Sequence, residues 1–137
     1  MAWLLNLEMA ATFYLTGVIW VIQLVHYPML GKVGETFDDC QKFHLSRMGM
    51  VVAIPMLTEG FCASFLLAQQ VSNPLKQVGF ALLVVIWAST FLLQVPQHHS
   101  LDCGFDRRVH SRLVDTNWIR TIAWTARSAL LLWTSIK

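Results

Sequence analysis

The sequence predicts an all-α protein, a four-transmembrane-helix up-down bundle with a polar interior. Three observations carry this. Of the 137 residues, 55% are hydrophobic and only 13% are charged, against about a quarter charged in a soluble domain. The apolar residues gather into four runs, each close to the roughly 20 residues that cross a bilayer. Each run also carries its polar residues in a line at helical spacing. At this length the chain reads as one domain, residues 1–137.

The first span is read over residues 3–27. It carries Glu8 and no basic stretch ahead of it, so it reads as a span and not as a signal peptide. The second covers 48–68, kinked or locally unwound at Pro55. The third covers 77–96, with Pro96 ending or bending it, and the fourth covers 118–136. The connections are then 28–47, 69–76 and 97–117. The two long connections lie on one side and hold Lys32, Lys42, Arg47, Arg107, Arg108 and Arg112; the other side holds Lys76 and Lys137. The positive-inside rule makes both long loops cytoplasmic and places both termini outside the cytoplasm.

Each long loop is expected to hold a short amphipathic helix at the headgroups. In TFDDCQKFHLSR, Thr36 and Asp39 have capping-box spacing, and Phe37, Cys40 and His44 recur at helical spacing. In FDRRVHSRLV, Phe105, Val109 and Leu113 form the apolar stripe.

A lipid-facing helix should be apolar all round, so aligned polar residues point to a protein interior. The first span aligns Glu8, Thr12, Thr16, Gln23 and His26. The second places Glu59 on the face of Pro55 and Val52, with His44 near the same face. The third aligns Trp87, Thr90, Gln94 and His98, and the fourth aligns Asn117, Arg120, Trp124, Arg127 and Thr134. At about 1.5 Å per residue, Glu59 and Arg127 reach the same depth and are expected to pair in the middle of the membrane.

All five histidines fall on the side of the long loops. His26 and His98 are expected to face each other, with His44 close by. Imidazole is the commonest ligand for transition metals, and histidines on facing helices can hold haem iron. His26, His44 and His98 are therefore candidate ligands for haem or for iron, copper or zinc. Gln23, Gln94 and Trp124 complete that candidate cofactor site. His99 and His110 read as solvated interfacial residues.

A second reading needs no metal. Glu59, Arg120 and Arg127 are candidate catalytic residues in a pocket for an amphipathic anion or a quinone, since arginine binds carboxylate or phosphate bidentately. Trp87 and Trp124 would supply flat apolar walls. A third reading is a non-catalytic subunit of a membrane complex, or a homo-oligomer, whose polar residues only specify packing. Other classes are excluded. A net charge of +2 gives no case for nucleic acid, and three cysteines without a CxxC pair give none for a zinc knuckle or disulfide framework.

The segments QLVHYPML, QVPQHHSLDCGFD and HSRLVDTNWIRTIAWTAR look similar to a family of small, four-span bacterial membrane proteins of uncharacterised function. The resemblance covers most of the chain. It implies a bacterial inner-membrane location and brings no activity, cofactor or site residue with it.

Overall fold

The computed structural model describes residues 1–136, and every regular element among them is helical. Four helices follow in chain order: α1 Ala2–Leu30, α2 Gly34–Gln69, α3 Pro74–Leu101 and α4 Arg107–Ile136. The first three are long and apolar enough to cross a membrane; among the described residues, α4 is not in that class. The reason is its inward face, where Asn117, Arg120, Thr121, Arg127 and Ser128 are all buried and lower its average hydropathy.

The helices run well past the expected spans. The two interfacial helices are not separate elements. The segment Phe37–Met48 continues directly into the apolar part of α2, and Arg107 already begins α4. Each connection shrinks to a few residues, and two of them turn on glycines with positive φ, Gly34 at 64° and Gly104 at 122°. Thr36 caps nothing: its hydroxyl donates back to the Val33 carbonyl at 3.0 Å. The working caps are Asn73, which accepts from the amides of Leu75 and Lys76, and Asp106, which accepts from those of Arg108 and Val109.

Each apolar helix contains one wide π turn: Ile22–His26 in α1, Gly49–Ala53 in α2 and Thr90–Gln94 in α3. A proline follows two residues after each of them, at Pro28, Pro55 and Pro96. Proline lacks an N–H and its ring collides with the carbonyl four residues back. A turn with i→i+5 bonding moves that carbonyl aside, so the helix survives. Pro96 therefore does not end its helix, which continues to Leu101.

α1 packs against α2 and α4, α3 packs against α4, and of the neighbouring pairs α2 and α3 touch least. The ring of helices is loosest at that seam. Leu57, Phe61, Leu92 and Ile122 lie on the outer surface, each more than half exposed, while Glu8, Gln23, Glu59, Asn117, Arg120 and Arg127 are buried. This reverses the pattern of a water-soluble protein, whose charged groups stay outside. Leu15, Ile19, Ile86, Leu113 and Trp124 fill the apolar centre.

Candidate functional site

Among the described residues, most buried polar groups gather into two clusters, and α4 contributes an arginine to each. In the first, Arg127 Nε donates to Glu59 Oε1 at 2.7 Å and Nη2 donates to Glu8 Oε1 at 2.6 Å. Nη1 donates to the Gly79 carbonyl. Thr12 Oγ1 and Trp124 Nε1 donate to the two oxygens of Glu59, and Lys76 Nζ lies 3.9 Å from Glu8. Two carboxylates thus face two cations, and the charge of the cluster closes to zero. All four helices meet there, so it sets their register.

The second cluster lies two turns away along α4, about 10 Å from the first. Arg120 Nε and Nη2 both donate to Asn117 Oδ1. Longer bonds of 3.4 Å reach Thr90 Oγ1 and Gln94 Oε1. Asn117 is itself held by Gln23, whose Oε1 accepts from Asn117 Nδ2 at 2.8 Å. Gln94 is held by Thr116 at 2.9 Å. Every partner of Arg120 is neutral. Among the described residues no carboxylate lies within ion-pair distance of this buried guanidinium.

Around Arg120 stand Tyr27 and the histidines. His98 Nδ1 lies 3.1 Å from Gln41 Nε2 and His98 Nε2 lies 3.1 Å from the Tyr27 hydroxyl. An amide nitrogen can only donate, so Nδ1 is the accepting nitrogen of neutral His98, and its Nε2–H donates to Tyr27. The Tyr27 hydroxyl proton is then free for another acceptor. Tyr27→Phe removes the acceptor and leaves the His98 N–H without one, at an expected cost of about 1–3 kcal/mol. Thermal unfolding in detergent reads this as a lower Tm; an unchanged Tm would show that the bond carries no stability.

His26 and His98 do not face each other. His44 lies between them, its ring 4.3 Å from that of His26 and 5.4 Å from that of His98. Among the described residues no group of three His, Cys, Asp or Glu side chains is arranged to hold a metal ion. His26 and His44 are stacked, with ring planes 23° apart. Stacked rings aim their nitrogens sideways and not at a shared centre, and both nitrogens of His98 are already engaged. The expected ligand set of His26, His44 and His98 is thus a column of rings, with no gap for a haem between its first two members.

Other expected site residues are scattered. Glu59, Arg127 and Trp124 belong to the ion cluster, and Gln23 stands behind Arg120 as a support. His99 is exposed, 3.6 Å from Asp102. His110 is not a solvated bystander, because its Nε2 lies 2.9 Å from the Tyr27 carbonyl and ties α4 to α1. Two important residues were not singled out by the sequence. Gln41 stands four residues after Phe37 and three before His44, a spacing that marks all three as one buried face. Tyr27 takes the inward place expected of His26, because the wider turn at Ile22–His26 shifts the register.

A cleft of about 420 Å³ opens at the seam between α2 and α3. Its walls are apolar: Met48, Val52, Met56, Trp87 and Phe91. Its inner end carries Tyr27, His44, Gln94, His98 and Arg120, and its rim residues Leu57, Phe91 and Val95 are exposed on the apolar outer surface. All three π turns contribute to it, through Ile22, Val52 and Gln94. His44 is 5% exposed, yet its Nδ1 has no hydrogen-bond partner. This arrangement can receive an oxygen-bearing or anionic group at the inner end and apolar matter at the rim. No family model, curated protein or solved structure matches the chain.

Proposed function

We propose that this chain is a four-span inner-membrane protein that binds a lipid-soluble amphiphile, seating a carbonyl or carboxylate head in the cleft against Arg120, His44 and Tyr27. Quinones and acidic lipids share this head chemistry. The observation that carries the reading is the absence, among the described residues, of any carboxylate beside a buried Arg120 at the end of a cleft that opens onto the apolar surface. Burying a charge without a counter-charge costs several kcal/mol. The cost is offset when a ligand brings an accepting oxygen, and a carboxylate head is gripped through two parallel bonds. The same helix shows the contrast, since Arg127 has two carboxylates of its own.

Spanning by α4 fits this reading. Its charges point inward, while Trp118, Ile119, Ile122 and Leu132 are exposed on its other side. A bacterial inner-membrane protein with both long-loop turns in the cytoplasm is the matching orientation. Cys103 is exposed in the α3–α4 turn. In a Cys40→Ser background, an impermeant maleimide should label Cys103 in inverted vesicles and not in intact spheroplasts. Labelling only from the outside would reverse the orientation.

The binding test uses the intrinsic fluorescence of Trp87, which lines the cleft. A short-chain quinone and a short-chain carboxylate are titrated separately into the purified protein. Saturable quenching by one of them, weakened at least a hundredfold in Arg120→Gln, is the expected result and also identifies the head. Absence of saturable binding by either removes the proposal. A metal role for His26, His44 and His98 draws no support from their stacking.

A further inference from the structure

A second cleft, of about 540 Å³, runs along the same α2–α3 seam on the side away from the histidines. It is lined by Gly60 and Ser64 of α2 and by Phe80, Leu83, Val84 and Ala88 of α3. Trp87 and Phe91 line both clefts, so the two spaces are adjacent and share one wall. Gly60 sets how closely that wall approaches α2. A Cβ there would stand 3.2 Å from Trp87 Cζ2, closer than a comfortable contact, so the indole lies directly on the backbone of α2. Trp87 Nε1 is buried and has no hydrogen-bond partner. Its ring is held in that wall by packing, with no hydrogen bond from the indole nitrogen among the described residues.

We infer that the second cleft holds the tail of the amphiphile whose head lies against Arg120, and that Gly60 and Trp87 select for a long tail. This rests on the head-group reading above. The occupant follows from the shared wall, which runs past Phe91 on the exposed outer surface. The first cleft is polar at its inner end and apolar where it meets Trp87, so a molecule anchored by its head leaves its apolar part at that point. From Gln94 back to Phe80, α3 advances about 21 Å at ~1.5 Å per residue. A tail lying along it covers Trp87 and Phe91 at the shared wall and reaches Phe80 at the far end. A compact head-only molecule would fill the first cleft and leave the second to bulk lipid.

The experiment compares one head carried on a short tail and on a long tail, using short- and long-chain quinones or carboxylates according to the head identified above. Both are measured in the same detergent, against wild type, Gly60→Leu and Ser64→Leu. Partition into detergent is common to all three proteins and cancels in the comparison. Wild type should prefer the long tail at least tenfold, and both variants should bring that ratio close to one. Ser64 is exposed on the outer surface, so Ser64→Leu carries the test if Gly60→Leu does not fold. A wild-type ratio that both variants leave intact overturns the tail assignment, while Arg120-dependent short-tail binding still upholds the head reading. Failure of either ligand to bind in an Arg120-dependent way overturns both.

Discussion

Arg127→Met is expected to destabilise the folded chain by about 3–5 kcal/mol, the cost of breaking a buried ion pair by removing one partner. Arg127 is 1% exposed and donates to Glu8, Glu59 and the Gly79 carbonyl. Without it, the two carboxylates keep one counter-charge among the described residues, Lys76, which is 3.9 Å from Glu8 and partly exposed, and Glu59 keeps only the neutral donors Thr12 and Trp124. The triple variant Glu8→Gln, Glu59→Gln, Arg127→Met removes all three charges together. It should recover most of the loss, because replacing a whole buried ion cluster is often neutral or stabilising. Lys76 can then extend its head toward the surface. Unfolding in detergent measures both. If the single variant melts like wild type, the cluster does not set the register of the helices.

Arg120→Gln should behave in the opposite way. The guanidinium is held by Asn117, Thr90 and Gln94 and by no carboxylate. A glutamine retains hydrogen-bonding capacity toward those groups and removes a costly buried charge. The unliganded protein should therefore be as stable as wild type or more so. Amphiphile binding should fall at least a hundredfold, since a hydrogen bond to a charged group is worth about 1.5–3 kcal/mol and two are lost. A residue that served only the fold would show the reverse: lower stability and unchanged binding.

These opposite outcomes also mark what could be read from sequence. The apolar runs located the three apolar helices, and depth arithmetic brought Glu59 level with Arg127, which the geometry places in contact at 2.7 Å. The polar line on the last run, correctly inward for Arg120 and Arg127, also keeps α4 out of the class of helices apolar enough to span. Register near the histidines was not legible, because the 100° step assumes regular helices and each apolar helix carries a π turn there. That is why Tyr27 took the place expected of His26. Gln41 was missed because its segment read as a separate amphipathic helix lying at the headgroups, whereas it is the first part of α2. The lack of a carboxylate partner for Arg120 among the described residues depends on which side chains fail to arrive, and no spacing rule reports that.

On the proposed function, Arg120 binds the head of an oxygen-bearing amphiphile. Native mass spectrometry of protein purified in mild detergent tests it most directly. Wild type should carry a near-stoichiometric lipid-soluble molecule with a carbonyl or carboxylate head, and Arg120→Gln, equally well folded, should carry none. The same adduct at the same occupancy in both proteins, or a wild-type protein that carries none and takes up neither quinone nor acidic lipid, would contradict the account.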